Sequence, residues 1–463
     1  MGILRLYLAL CVVTAHSSPI FPWDTHDGNR SVQIFYIISG FYMALVLSSR
    51  YSNKHDFYLS RFLRIFPLYW IVLLLIVGWS LFSGWHSGQW LTLQRFVTHP
   101  FEANGMAGIG LASFSNITLF GQDWVMFLSH PLGQTFQMTE AFGKDTNPLW
   151  RYLIIPQAWS VGVELSFYVL APFFNRLRSR DLLILVVSFF MLRFYASMNL
   201  HLNYDPWMYR FFPFEISQFL LGMLGFRIYA CFRASGKSWL PSFNRKRAFP
   251  IAFVVVCVAL IVCNLIENYF LGHSTWAWRS LCTYPLWAVG IAFLFALLGN
   301  NPIDRWVGEL SYPVYLVHYT IAASLFPYVS KANWGLITAL LSVAVAIVLY
   351  FAVIRPIDIR RHLLTIHNLR KLFRKDAAPV EVYGPGTTTI DLPEPAKKAS
   401  PPYVFFLIPA TILFLSIIHA HHHKNALYRM EVAGVVITLL LVAYMAGWVK
   451  ALYTFLALRL QRA

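Results

Sequence analysis

The feature that most constrains this chain is a succession of apolar stretches, each close to the length that crosses a bilayer as a single helix. A membrane helix needs about 20 predominantly apolar residues, and we count twelve such stretches in the sequence. They cover residues 3–19, 32–47, 66–82, 159–175, 182–200, 211–232, 251–271, 281–298, 310–328, 334–354, 403–418 and 432–452. A weakly apolar piece, 109–128, is interrupted by polar residues, and we predict that it is interfacial or re-entrant.

Composition agrees with this pattern. The 463 residues are 58% hydrophobic and only 12% charged, whereas soluble domains carry about 25% charged residues. We therefore predict an all-α polytopic membrane helical bundle, with a ten-span core and a C-terminal two-span hairpin. The core domain is residues 1–375, a flexible cytoplasmic linker rich in Pro, Thr, Gly and Lys is 376–402, and the hairpin is 403–463.

The positive charge of the chain is distributed in short runs between the apolar stretches. The formal net charge is +17, but the basic residues do not form one face, so the charge does not indicate nucleic-acid binding. Placing the N-terminus in the cytoplasm puts all of the basic runs inside, as the positive-inside rule requires. This predicts a multi-pass protein of the inner or plasma membrane with both termini cytoplasmic and the long segment 84–157 outside.

The first apolar stretch carries two ionisable residues, Arg5 and His16. Eleven residues of helix separate them, a rise of roughly 16 Å, which is about half of the hydrocarbon thickness. Ionisable groups within a span indicate function by default. Two other interpretations stay open on this stretch alone: Arg5 as the basic flank that sets orientation, and the whole stretch as a secretory signal peptide.

Three later stretches also place polar chemistry in or beside a span. Arg61 and Arg64 share a helix face before the third span, where they suit phosphate groups or serve only as orientation residues. Glu164 lies about one and a half turns into the fourth span, and needs a partner or a water-filled cavity. His318 lies about two turns into the ninth span, where an interhelical hydrogen bond is the alternative to a functional role.

A histidine tract, HAHHHK, follows the eleventh span. It comprises His419, His421, His422 and His423. Such tracts can bind zinc or nickel, but no acidic or cysteine partner is near it in the sequence. We expect a solvated loop and predict no metal site in this chain.

Together the motifs resemble the acyltransferase-3 family of integral membrane acyltransferases, which includes O-antigen and exopolysaccharide O-acetylases. The resemblance runs from Arg5 to about Arg355 and leaves out the linker and the last two spans. The matching residues are Arg5 and His16; Ser39, Gly40 and Phe41; Arg61, Arg64, Ile65, Pro67 and Tyr69; Trp159, Ser160, Glu164, Phe167 and Tyr168; and Ser311, Tyr312, Tyr315, Leu316 and His318.

The sequence departs from the family pattern mainly in its carboxylates. The acidic residue that often follows the first-span histidine is absent at that place, and the nearest are Asp24 and Asp27. Gln33, Leu165 and Ile354 stand where the family commonly has acidic residues. The carboxylate that would orient His16 is therefore not identified by the sequence.

The resemblance implies transfer of an acyl group, most simply acetyl, from cytoplasmic acyl-coenzyme A across the membrane to a hydroxyl of a cell-surface or lipid-linked glycan. His16 would be the general base or acyl carrier, with Glu164 and His318 as further catalytic residues. Arg5, Arg61 and Arg64 would bind the donor, acetyl-coenzyme A. The residues expected to shape the site or contact substrate are Tyr69, Trp159, Ser160, Tyr168, Ser311 and Tyr312.

The expected partners are acyl-coenzyme A, the glycan or lipid-linked sugar acceptor, and membrane lipid. Polysaccharide-assembly proteins are further partners that are compatible with this activity. The competing function is a glycan-lipid transporter or flippase that uses the same buried polar residues as a pathway without acyl transfer. A polyprenyl-phosphate glycosyltransferase would want an acidic sugar-nucleotide or metal motif in a loop, which the sequence lacks.

Overall fold

The computed structural model describes residues 1–20, 28–49, 54–98, 105–129, 137–138, 147–200, 202, 205–234, 258, 276–299 and 301–361. Several sequence predictions concern residues outside these ranges. They are the seventh span apart from Val258, the linker 376–402, the hairpin 403–463, the HAHHHK tract and the two loop carboxylates Asp24 and Asp27.

Helices dominate the described residues. They are α1 (Gly2–Ala15), α2 (Gly28–Ser49), α3 (Lys54–Ser87), α4 (Gln94–Thr98), α5 (Gly105–Thr118), α6 (Gln122–Val125), α7 (Trp159–Phe174), α8 (Ser179–Asn199), α9 (Trp207–Arg210), α10 (Phe212–Ala234), α11 (Trp276–Leu298), α12 (Pro302–Glu309), α13 (Ser311–Leu325), α14 (Lys331–Leu349) and α15 (Arg355–Arg361). Two short strands, β1 (Leu128–Ser129) and β2 (Gln137–Met138), pair antiparallel with Leu128 opposite Met138.

Five stretches of helix among the described residues are long and apolar enough to cross a membrane. They are Gly28–Ser49, Lys54–Ser87, Ser179–Asn199, Trp207–Arg233 and Lys331–Ile359. Two shorter apolar helices, Gly2–Ala15 and Thr283–Leu298, accompany them. The chain is thus a multi-pass α-helical membrane protein, while the count of ten spans plus a hairpin stays a prediction.

Two regions differ from the boundaries that apolarity predicts. The basic loop before the third span is helical from Lys54 onward, so α3 has 34 residues and a length of roughly 51 Å. The segment predicted to be interfacial or re-entrant divides into α5 and α6. Leu119 and Gly121, with φ of 62° and 78°, break the helix between them, because a right-handed helix cannot pass through left-handed backbone.

Helices α2 and α10 approach each other to backbone contact. A Cβ atom on Gly40 would lie 1.9 Å from the carbonyl oxygen of Phe219, and one on Gly222 would lie 1.9 Å from that of Ile37. Small residues at a crossing allow such an approach between membrane helices. The close crossing fixes the stripe of α2 side chains that faces the centre of the bundle.

Helix α1 is held at both ends by contacts distant in sequence. The backbone N–H of Ile3 donates to Asp304 Oδ1 at 3.0 Å, and Gly2 lies against Gly308 closely enough that a Cβ on Gly308 would be 2.7 Å from Gly2 Cα. After the helix, Ser18 Oγ accepts from the backbone N–H of Gly335 at 2.7 Å. These contacts fix the positions of both ionisable residues of α1.

Candidate active site

The structure brings the two predicted histidines together. His16 is the C-cap of α1, and His318 lies in the middle of α13. The Nε2 atom of His318 lies 3.3 Å from Nδ1 of His16, and the ring centroids are 5.1 Å apart. Two residues that belong to separate sequence motifs are therefore in contact in the structure.

Neighbouring carbonyl groups determine which ring nitrogens of the pair carry protons. Nδ1 of His318 lies 2.8 Å from the carbonyl oxygen of Tyr315, and Nδ1 of His16 lies 2.9 Å from that of Val12. Since a carbonyl only accepts, both Nδ1 atoms are assigned as N–H donors, and when the rings are neutral both Nε2 atoms hold a lone pair. His318 Nε2 then accepts from His16, which leaves Nε2 of His16 as the basic atom of the pair.

The two histidines differ in their access to solvent. His318 is 0% exposed, whereas His16 is an exposed residue at the end of its helix. His16 therefore lies at the surface of the helical bundle, whereas His318 is covered by its neighbours.

Hydrogen bonds from the start of α7 and from the turn before it, Pro156–Ala158, hold the helix turn that carries His318. Ser160 Oγ lies 2.6 Å from the hydroxyl of Tyr315, which donates to the carbonyl of Gln157 at 2.8 Å. Gln157 Nε2 in turn donates to the carbonyl of Leu316 at 2.8 Å. Ser160, a predicted site residue, therefore belongs to the support of His318.

Glu164 forms a second polar centre, separate from the histidines. Its Oε1 atom accepts from Ser39 Oγ and from the hydroxyl of Tyr168, each at 2.5 Å. Within the described part of the chain, no direct hydrogen bond joins Glu164 to either histidine. The orienting partners of His16 found there are Val12 and His318 rather than a carboxylate.

The three predicted donor-binding arginines lie toward the other end of α1. Arg64 donates to both carboxylate oxygens of Glu309, at 3.0 and 3.2 Å. The charges of Arg5 and Arg64 both act on the hydroxyl of Tyr42. Arg61 is buried, and its charge acts on Tyr168, the partner of Glu164. Arg5 and Arg64 therefore lie within electrostatic range of Tyr42, and Arg61 lies within range of Tyr168.

Four other predicted residues lie outside the histidine pair. The hydroxyl of Tyr69 donates to the carbonyl of Asn116 at 2.6 Å and accepts from Gln122 at 3.0 Å, so it fastens the α5–α6 region. Ser311 bonds to the carbonyl of Gly308 within its own turn. The hydroxyl of Tyr312 donates to the carbonyl of Ile65 at 3.3 Å.

Trp159, the fourth of these residues, is covered by a cation that sequence reasoning missed. The guanidinium carbon of Arg210 lies 4.3 Å from the ring centroid of Trp159, and Arg210 pairs with Asp205 at 2.8 Å. Its charge acts on both His16 and Tyr315. Arg210 is therefore part of the surroundings of the histidine pair, and in the sequence it stands just before the sixth predicted span.

A buried ion pair within the bundle also escaped the sequence analysis. Arg193 on α8 and Glu215 on α10 lie 3.3 Å apart, with side chains 1% and 0% exposed. Gln33 Nε2 donates to both oxygens of Glu215 at 2.9 Å, and Tyr284 donates to Gln33. The available signal was an ionisable residue inside each of two predicted spans.

Outside the spans, one carboxyl has an altered acidity. Burial raises the pKa of Asp123 to about 7, because the charged form loses its hydration. Asp123 belongs to α6, beside the contacts of Tyr69. Over the described residues, no group of three or more His, Cys, Asp or Glu side chains is arranged to hold a metal ion.

Comparison with known proteins gives one family and several distant relatives. A family profile described as "Acyltransferase domain" matches residues 1–353. The chain is 23% identical over 350 residues to YrhL of Bacillus subtilis (strain 168), provisionally named a peptidoglycan O-acetyltransferase, covering 71% of this chain and 49% of YrhL. It is 25% identical over 312 residues to the exopolysaccharide production protein ExoZ of Rhizobium meliloti (strain 1021), covering 66% and 79%.

A third relative is the peptidoglycan O-acetyltransferase OatA of Listeria monocytogenes serovar 1/2a (strain ATCC BAA-679 / EGD-e). It is 20% identical over 371 residues, which cover 75% of this chain and 53% of OatA. The chain thus spans about half of the length of YrhL and OatA. No solved structure matches the chain.

Proposed function

The chain belongs to the family described as "Acyltransferase domain", and from this membership we propose that it transfers an acetyl group from acetyl-coenzyme A to a hydroxyl of an envelope glycan. The names of three relatives concern peptidoglycan O-acetylation and exopolysaccharide production, which supports a glycan as the acceptor.

The observation that carries the proposal is the histidine pair. His16 presents a basic Nε2 atom, and its Nδ1–H faces the carbonyl of Val12 and Nε2 of His318. A histidine is suited to general base catalysis because its ordinary pKa lies near neutrality. When Nε2 takes up a proton, the two acceptors at Nδ1 stabilise the imidazolium that forms.

In this mechanism His16 Nε2 removes the proton of the acceptor hydroxyl while the hydroxyl oxygen attacks the thioester carbonyl carbon. The new C–O bond forms and the C–S bond breaks. The thiolate of coenzyme A leaves and takes the proton back from His16, so that the products are the O-acetyl ester and the free thiol. An alternative route through the same atom has His16 Nε2 carry the acetyl group before the sugar oxygen receives it.

The donor would enter from the cytoplasm at the Arg5 end of α1. Guanidinium groups suit phosphate, and Arg5, Arg61 and Arg64 lie toward that end. The pantetheine arm would then extend between the helices toward His16, over the roughly 16 Å that separates Arg5 and His16 along α1. The acceptor would meet His16 from the opposite side of the membrane.

The test is to incubate membranes that contain the protein with acetyl-coenzyme A labelled in the acetyl group and to measure label in glycan. We expect wild-type membranes to label glycan and His16→Ala to lose at least 100-fold of the rate, the lower range for a general base. His86→Ala, at an exposed histidine in the last turn of α3, is the matched control and should label as wild type.

Two results would contradict the proposal in different ways. If His16→Ala transferred label at the wild-type rate, His16 would be neither the general base nor the acyl carrier. Absence of label in glycan with wild-type protein, together with movement of a glycan lipid across the membrane, would replace acyl transfer by transport.

A further inference from the structure

Tyr36 places a polar atom at the centre of the bundle without a hydrogen-bond partner. Its side chain is 2% exposed, and its hydroxyl bonds to none of the described residues. The ring stacks on Phe219 with centroids 4.6 Å apart and planes at 25°. A phenylalanine would fill the same volume without burying a hydroxyl, so packing alone gives no reason for the oxygen.

The position of Tyr36 on α2 places it between two carboxylate centres. Gln33, Tyr36 and Ser39 follow at intervals of three residues, so they share one face of the helix. Gln33 donates to Glu215 at 2.9 Å, and Ser39 donates to Glu164 at 2.5 Å. On α2, Tyr36 is therefore about one helical turn from Gln33 and from Ser39.

The surroundings of the hydroxyl also include the support of the histidine pair. The charges of Glu215 and Glu164, and the hydroxyls of Tyr209 and Tyr315, all act on Tyr36. Tyr315 is the residue whose carbonyl receives Nδ1–H of His318. Tyr36 therefore lies within electrostatic range of Tyr315, which supports His318 behind the proposed base.

The chemistry of this location restricts what the hydroxyl can bind. Glu215 is paired with Arg193, but Glu164 accepts only from hydroxyl groups among the described residues. The charge of Glu164 therefore disfavours an anion beside it, so a phosphate group of the donor is not the complementary ligand. The phenolic O–H of Tyr36 is a hydrogen-bond donor. The complementary group is an uncharged oxygen that accepts a hydrogen bond, such as a thioester or amide carbonyl or a sugar hydroxyl.

We propose that Tyr36 is a substrate-binding residue whose hydroxyl donates a hydrogen bond to an uncharged oxygen of a bound substrate. This inference rests on the proposed acyl transfer. The oxygen belongs either to the thioester or pantetheine amides of the donor or to the sugar acceptor, and both sources share the same acceptor chemistry.

The experiment compares Tyr36→Phe with wild type by three measurements on the full chain. They are the thermal unfolding midpoint of the purified protein, the shift of that midpoint by acetyl-coenzyme A alone, and the rate of label transfer to membrane glycan. Tyr229→Phe is the matched control, because among the described residues the Tyr229 hydroxyl accepts a hydrogen bond only from the exposed Arg233, at 3.3 Å.

We expect Tyr36→Phe to unfold at or above the wild-type temperature, since it removes a buried hydroxyl without a partner. Transfer should fall by about 10-fold, the value of one neutral hydrogen bond. A smaller shift by acetyl-coenzyme A would assign the bonded oxygen to the donor. An unchanged shift with slower transfer would assign it to the acceptor.

Two outcomes overturn the inference. If Tyr36→Phe transfers label and responds to acetyl-coenzyme A as wild type does, the hydroxyl does not bind substrate, whatever its unfolding temperature. In that case wild-type transfer shows that the proposed function stands without it. If wild-type protein transfers no label at all, the proposed function fails and the inference about Tyr36 falls with it.

Discussion

Two carboxylates in the middle of the bundle, Glu215 and Glu164, have contrasting surroundings. Glu215 is 0% exposed, pairs with the guanidinium of Arg193 at 3.3 Å and receives two bonds from Gln33 at 2.9 Å. Glu164 is half-buried and accepts only from hydroxyl groups, with no ion pair among the described residues. Glu215 is thus closed off by a guanidinium and an amide, whereas the carboxylate of Glu164 can accept further hydrogen bonds.

The difference predicts a structural role for Glu215 and a role in the reaction for Glu164. A buried charge that is paired and fully bonded fixes the relative position of helices, and removing one partner leaves the other uncompensated. A carboxylate held by neutral donors keeps its charge available for a bound group. We therefore expect substitutions at Glu215 to change stability, and substitutions at Glu164 to change the rate of transfer.

The largest expected effect is at the closed carboxylate. Glu215→Ala should lower the free energy of unfolding by about 3–5 kcal/mol, because Arg193 would remain buried without its counter-ion. Thermal unfolding of the purified protein measures the loss. The double variant Arg193→Met/Glu215→Leu should recover part of it, since an apolar pair leaves no isolated charge. If Glu215→Ala were as stable as wild type, Glu215 would not have the structural role that distinguishes it from Glu164.

The intermediate effect is at the open carboxylate. Glu164→Gln keeps the shape and an acceptor oxygen for Ser39 and Tyr168 but removes the charge. We expect a loss of about 10- to 100-fold in label transfer, within the range of electrostatic contributions to catalysis, with unfolding changed by less than about 1 kcal/mol. Wild-type transfer rates together with a large loss of stability would make Glu164 a scaffold residue like Glu215.

The smallest expected effect concerns the ion pair of Arg64 with Glu309, whose side chains are 29% and 21% exposed. Partly exposed pairs contribute about 0–1 kcal/mol, so Glu309→Gln should hardly change unfolding. If Arg64 binds the phosphates of the donor, Glu309 competes for it, and its removal should lower KM for acetyl-coenzyme A by about 2- to 5-fold. Arg64→Gln should raise KM; a fall in KM for both variants would remove Arg64 from the donor site.

The fold could be predicted well where a helix must be apolar along its whole length. The bounds of α2 and α8 differ from the predicted 32–47 and 182–200 by only a few residues, because the bilayer sets the length of an apolar span. The start of α3 was missed by twelve residues: apolarity marks only the part of a helix that meets lipid, whereas α3 begins at Lys54 in a polar, basic segment.

The candidate site was predictable in its residue types but not in its pairings. His16 and His318 were both expected to matter, yet nothing in the sequence says that residues 302 positions apart lie 3.3 Å from each other. The same limit hid Arg193 and Glu215, since a charge within a span signals that a partner is needed without identifying it. The roles assigned to Glu164 and to the three arginines stay predictions.

The two end contacts of the first helix also restrict how the protein can move. Asp304 and Gly308 hold one end of α1, and Gly335 holds Ser18 beyond the other. Because both ends of α1 are held by neighbouring segments, the helix cannot slide along its axis. Such sliding therefore cannot carry the basic nitrogen of His16 between the two faces of the membrane. In this arrangement α1 keeps its position. Any movement that lets a substrate enter or a product leave is then a movement of the helices around α1.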